Sequence, residues 1–189
     1  MYALGAALCC AVVVAPAHPR EIAGVEIPEH LRIEPDAPPL SLNGAGVRRK
    51  LFFKIYVGAL YLPAPARAAR AVLAREGPNA VLMHFVYDEV SAQRLASAWE
   101  AGFADNHDAA ELGRLRRRLE RFKARFPTVR EGDVVRLEYI PGTGTRVRIN
   151  GAPRGTIAGA DFNRALLRVW LGERPADASL KEAMLGGGR

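Results

Sequence analysis

Residues Leu51 to Leu62 read LFFKIYVGALYL, an almost unbroken run of aromatic, aliphatic and β-branched side chains stopped by Pro63 and Pro65. Such a run between turn signals reads as a strand. Strand side chains alternate between the two faces of a sheet. The odd positions Leu51, Phe53, Ile55, Val57, Ala59 and Tyr61 make one apolar face. The even positions Lys50, Phe52, Lys54, Tyr56, Gly58 and Leu60 make a mixed one. A face that is half apolar and half cationic suits a ligand with an apolar body and an anionic head. It also suits an ordinary half-exposed strand. Ahead of this strand lie a short strand over Leu40–Leu42, a turn at Gly44-Ala45-Gly46, and the cations Arg48, Arg49 and Lys50.

The rest of the chain alternates strands and helices without an internal repeat or linker. Val25–Ile27 and Leu31–Ile33 read as edge strands broken by prolines. Ala66–Arg75 reads as a short helix and Ala80–Tyr87 as a strand. Ser91 is placed to cap a helix running to about Ala104. Asp88 and Glu89 just before it favour a helix N-terminus electrostatically. Leu112, Leu115, Leu119, Phe122 and Phe126 recur at helical spacing, predicting a helix over 109–126 with a basic outer face. Asp133–Ile140, Thr145–Ile149 and Arg154–Ile157 form a meander, its last turn marked by Asn150-Gly151. Helices over Ala160–Leu171 and Ala178–Leu185 close the chain. Antiparallel strands with segregated helices indicate an α+β fold, one sheet with helices on one face.

Residues 1–17 are uncharged, apolar from Tyr2 to Val14, and end Ala15-Pro16-Ala17. This predicts a signal peptide followed by one domain over 18–189, and a periplasmic or secreted protein. Both cysteines, Cys9 and Cys10, lie in that segment, so a mature chain would have no thiol chemistry. The net charge of +7 lies in the remainder. Much of it sits in GRLRRRLERFKARF, which reads as a solvated helix face or a peripheral contact surface. No nucleic-acid motif accompanies it, and no nucleic-acid partner is expected.

Motif chemistry is sparse. His18, His30, His84 and His107 are scattered, without metal-ligand spacing, and no metal or cofactor is expected. His84 reads as a packed or rim residue. Pro141-Gly142-Thr143-Gly144 lacks phosphate-loop spacing and reads as a hairpin turn. No nucleophile motif or paired carboxylates stand out. What remains is the Arg48/Arg49/Lys50 cluster with Tyr56. An arginine fork and a phenol hydroxyl can share a carboxylate or phenolate.

The segments LNGAGVR, FKIYVGALYL, SAQRLASAWEAG, INGAPRGTI and DFNRALLRVWLGERPADASLKEAML occur in this order. Together, over roughly residues 22–185, they resemble the chalcone isomerase-like proteins, in particular their bacterial exported branch. The resemblance implies an open-faced β-sandwich, a large antiparallel sheet covered by a layer of helices. It also implies a site. Arg48 matches the arginine with which plant chalcone isomerases hold their substrate. Tyr56 stands where they have a threonine, Val90 where they have a tyrosine, Ser97 where they have an asparagine, and Val169 where they have a threonine. One catalytic position of the plant pattern survives, which argues against chalcone cyclisation. An arginine with a tyrosine is instead similar to the fatty-acid-binding branch.

On one straight strand, Arg48 and Tyr56 would stand about 26 Å apart. Either the chain turns near Arg49–Lys50, or Arg49 or Lys54 takes over, or the pair is not a site. Three functions follow from this reading. The first is an exported, non-catalytic binder of a fatty acid or similar amphipathic anion. The second is an isomerase or intramolecular lyase in the same cleft. The third is an envelope interaction protein using the basic helix.

Overall fold

The computed structural model describes residues 20–187. The expected signal peptide, its two cysteines and His18 lie outside them. The main sheet has seven strands in the order β11-β10-β9-β6-β5-β4-β3. Its members are β3 (His30–Leu31), β4 (Leu40–Lys50), β5 (Phe53–Leu62), β6 (Asn79–Phe85), β9 (Val134–Ile140), β10 (Gly144–Ile149) and β11 (Ala152–Ile157). Every neighbouring pair is antiparallel. Two ribbons flank it, β1 (Arg20–Ile22) with β2 (Val25–Ile27), and β7 (Glu89–Val90) with β8 (Val129–Arg130).

Five helices are described: α1 (Ala69–Leu73), α2 (Ala92–Asn106), α3 (Ala109–Lys123), α4 (Ala160–Leu171) and α5 (Ala178–Met184). They cover one face of the sheet. Leu60, Leu62, Val81, Met83, Phe85, Val135, Leu137 and Val147 point into a core shared with the helices. Trp99, Phe103, Phe122, Phe126, Phe162 and Trp170 meet there with ring centroids 4.9–5.7 Å apart. Each such pair adds about 0.5–1.5 kcal/mol beyond area burial. On the opposite face Val57, Ala59, Tyr61, Ala80 and Leu82 pack under Val25, Ile27 and Leu31. The N-terminal segments thus cover part of the open face, and the Tyr61 hydroxyl donates to the Pro28 carbonyl at 2.8 Å.

Local chemistry accounts for most boundaries. Ser91 accepts from the Arg94 N–H and caps α2. Asp108 and Asp177 cap α3 and α5 in the same way. The basic helix buries Leu115, Leu119 and Phe122 and exposes Arg114, Arg116, Arg117 and Arg121. Pro141-Gly142-Thr143 turns β9 back into β10. Glu89 belongs to β7 and its carboxylate accepts from Arg130 at 2.7 Å.

The expected glycine turn is not a turn. β4 runs straight through Gly44 and Gly46 to Lys50, and the reversal comes at Leu51–Phe52. The glycines serve packing instead. A Cβ on Gly46 would stand 2.6 Å from the Ala183 Cβ, and one on Gly44 would run into the backbone of α5. Bare backbone lets α5 lie directly on β4. Asn43, bulged out of the ladder beside Gly44, holds the arrangement. Its amide nitrogen donates to the Met184 and Ala66 carbonyls at 2.7 and 2.9 Å, and its oxygen accepts from the Ala66 N–H at 2.7 Å.

The uniform alternation expected for 51–62 also breaks. Arg48 pairs with Tyr56 but Arg49 pairs with Lys54, so Ile55 is an extra residue in β5. A bulge of this kind shifts the parity of the strand. Beyond it Phe53 shares a face with Tyr56, while Lys54 moves to the other face with Arg49. Leu51, expected in the apolar face, is a turn residue with φ 55°.

Candidate functional site

The turn at Leu51–Phe52 resolves the spacing of Arg48 and Tyr56. They are direct cross-strand partners, and the Arg48 guanidinium carbon lies 5.7 Å from the centre of the Tyr56 ring. Cross-strand partners sit about 5 Å apart, not the length of a strand. Both line a cavity of about 750 Å³ between the β4–β5 hairpin and α2. This volume falls within the roughly 300–1,000 Å³ of small-molecule sites.

Five of the expected site residues come together here: Arg48, Tyr56, Val90, Ser97 and Val169 all line the cavity. They arrive from β4, β5, β7, α2 and α4. Arg49 and Lys54 do not line it. Arg49 faces away from Arg48 by strand alternation, and the bulge at Ile55 puts Lys54 on the same far side of the hairpin, where both are exposed. The Arg49 backbone N–H donates to the Asp177 carboxylate at 2.8 Å, which anchors the edge of β4 to the start of α5.

Tyr56 is buried at the cavity floor against Phe85. Its hydroxyl accepts the indole N–H of Trp170 at 2.8 Å. That bond fixes the oxygen and leaves the phenolic proton without an acceptor among the described residues. Burial pushes the Tyr56 pKa up, against opposing pulls from Arg48 and the Trp170 hydrogen bond. The group is therefore a neutral donor at physiological pH.

Arg48 is half-buried, its Nε is enclosed without a partner, and no described carboxylate lies within ion-pair distance. The contrast within the same sheet is sharp. Glu138, fully buried on the opposite face, is flanked by Arg136 and Arg146, and Arg146 also reaches Glu34 at 2.7 Å. A buried charge is normally paired in this way, because an unpaired one is destabilising. The indole N–H of Trp99, another cavity residue, is also buried without a partner.

The remaining buried wall is apolar, from Met83, Phe85, Leu95, Trp99 and Val169. Val169 fits against Gly102, where a Cβ would come within 2.8 Å of its Cγ1. Exposed Leu51, Phe53, Arg94 and Ser97 form a rim. Arg48, Tyr56 and Trp99 thus bring buried hydrogen-bonding groups to a cleft whose buried wall is otherwise apolar. Trp170 and Phe53 were not legible as site residues. Trp170 reaches Tyr56 across 114 residues of sequence, and Phe53 joins the cavity only through the bulge. A buried indole needs an acceptor, but nothing local says which.

The backbone arrangement is similar to that of a solved structure, a fatty-acid binding protein from Arabidopsis thaliana. The TM-score is 0.64 at 16% identity, covering 86% of this chain and 92% of that one. No curated protein matches the chain by sequence. Residues 19–186 match the family described as chalcone isomerase-like, nearly the whole length. With the curled antiparallel sheet, its helical layer and the ordered sequence segments in agreement, the chain belongs to the chalcone isomerase-like family.

Proposed function

We propose that this protein binds a fatty acid or a similar amphipathic anion in the cleft between α2 and the β4–β5 hairpin, without transforming it. One observation carries the reading. Arg48, a half-buried cation with no described counter-ion, stands over Tyr56, whose proton has no described acceptor, in a cavity whose buried wall is apolar. A carboxylate accepting from both would satisfy both, and the surrounding low dielectric would strengthen the contacts. The acyl chain would lie along Met83, Phe85 and Leu95. The fatty-acid binding described for the Arabidopsis structure supports the same ligand class. Val90 and Val169 bring no proton donor or acceptor to the cavity, which favours holding over chemistry.

Native mass spectrometry after gentle purification, with calorimetry over a panel of fatty acids, tests this. The expected result is a co-purifying or titratable carboxylic acid whose binding is lost in Arg48→Ala. No bound lipid and no heat of binding for any panel member would refute it. A second reading rests on the neutral phenol beside a cation, a donor pair able to polarise a carbonyl. It requires turnover of a small molecule, abolished in Tyr56→Phe. We also propose export, from the apolar segment over 1–17. A mature chain beginning near His18, read by intact mass, is the expected result.

A further inference from the structure

Among the described residues, the large apolar side chains exposed to solvent are Leu51, Phe52 and Phe53, at 83%, 94% and 54%. They are consecutive, and they form the tip of the β4–β5 hairpin. Scattered exposed apolar residues need no explanation, but a contiguous cluster at a protrusion does. The local backbone makes the case stronger. Leu51 has φ 55° in a two-residue hairpin loop. Such loops favour glycine, asparagine or aspartate, and a leucine there is strained. Neither the turn nor the core requires these side chains.

Cations surround them. Arg49 and Lys50 precede the tip, Lys54 follows it, and all three are exposed. None of the three is in an ion pair among the described residues. Tyr87 packs edge-on against Phe53, with ring centroids 5.5 Å apart, just behind the tip. An apolar point, a ring of cations and an aromatic phenol form a sequence of layers. It matches the order met on entering an anionic bilayer surface, from acyl chain to headgroup. The basic face of α3 lacks the apolar component. A protein partner fits less well, because a stable interface needs about 800 Å² on each side, far more than a three-residue point offers.

We propose that the β4–β5 hairpin tip docks on anionic membrane surfaces, Leu51, Phe52 and Phe53 entering the interface and Arg49, Lys50 and Lys54 meeting the headgroups. No described helix is long and apolar enough to cross a membrane, and the contact is peripheral. Leu51, Phe53 and Lys50 also line the cavity, so the docked tip places the rim of the cleft against the lipid. An amphipathic anion could then pass between bilayer and cleft without crossing bulk water. This last point rests on the ligand reading; the docking does not.

Flotation with phosphatidylcholine vesicles, with and without phosphatidylglycerol, tests the docking on the ligand-free chain. Binding is expected to the anionic vesicles and to weaken as salt rises. Phe52 does not line the cavity. Phe52→Asp is expected to lower the vesicle partition coefficient by about tenfold or more, with thermal stability and fatty-acid binding in solution unchanged. Lys54→Glu is expected to weaken binding several-fold, to anionic vesicles only. Three results would overturn the proposal. The first is no binding of the native chain to anionic vesicles. The second is native-like vesicle binding by Phe52→Asp. The third is a self-associated species in sedimentation that Phe52→Asp dissolves, which would show that a second copy covers the tip. Vesicle binding without any fatty-acid binding would leave the docking standing and remove the ligand reading.

Discussion

At the end of the β10–β11 hairpin, Asn150 and Gly151 both have positive φ, 50° and 78°. The Asn150 side chain accepts from the Val134 N–H at 2.8 Å and donates to Asp133 at 2.7 Å. At the end of the β4–β5 hairpin, Leu51 takes a similar φ of 55° with no such help, and its side chain stands in solvent. Both loops hold two residues between paired strands. The first is built from residues that favour the turn, so its substitution reads out in stability. The second keeps residues that disfavour it, so under the docking proposal its substitution is expected to read out in binding. The stems differ likewise. Among the described residues, Arg48 and Tyr56 on the second hairpin leave a cation and a proton unpaired, where the β9–β10 pair closes Glu138 between two arginines.

The largest expected effect tests the stem of the binding hairpin. Arg48→Ala lowers affinity for a fatty acid by roughly 10- to 100-fold, the value of a hydrogen-bonded charge, as read by calorimetry. Stability changes by less than about 1 kcal/mol, because only the contact over Tyr56 is lost. A large fall in melting temperature with intact affinity would reverse the assignment of the two hairpins. Next comes Gly151→Ala. No heavy atom lies within 4 Å of the added Cβ, so the change isolates the backbone. Denaturant titration should show a loss of about 1–2 kcal/mol from the left-handed conformation, with fatty-acid affinity unchanged.

Asn150→Ala is expected to be somewhat milder, about 1 kcal/mol at neutral pH. Its pH dependence is more telling. The Asn150 hydrogen bond, aided by the Arg130 backbone N–H, holds the Asp133 carboxyl below its usual range. A depressed carboxyl contributes stability above its unfolded pKa of about 3.9 and loses it as pH falls through the folded value. The gap between native chain and Asn150→Ala should therefore narrow below about pH 4. A gap that widens there would show that Asp133 is not the coupled group. The smallest effect is expected for Leu51→Gly. Relief of about 1–2 kcal/mol of strain, offset by about 0.5–1 kcal/mol of glycine entropy, leaves a stabilisation of up to about 1 kcal/mol. Destabilisation would mean that the native tip is held by contacts rather than tolerated for docking.

The same two hairpins show how far the chain could be read without coordinates. Asn150-Gly151 announces its turn because both residues accept left-handed backbone at little cost. Ser91 and the i, i+3, i+4 apolar spacing announce α2 and α3 for similarly local reasons. Leu51-Phe52 is silent, since by composition it continues a strand, while Gly44 and Gly46 imitate a turn. Those glycines are bare because α5, far along the chain, lies on them. β2 was legible as Val25–Ile27, whereas β1, β7 and β8 had too few residues to show a period, and β3 proved to be His30–Leu31 rather than Leu31–Ile33.

The sequence by itself determined the fold class, the helical layer, the meander and the family, because periodicity, caps and ordered segments are properties of neighbouring residues. It also singled out Arg48, Tyr56, Val90, Ser97 and Val169. Only the tertiary structure decided that these five share one cavity, and that Arg49 and Lys54 stand outside it. One two-residue turn and one extra residue, Ile55, made that difference. In a strand each shift by one residue exchanges the faces, so no local pattern can say which side chains meet until the pairing partner is in place.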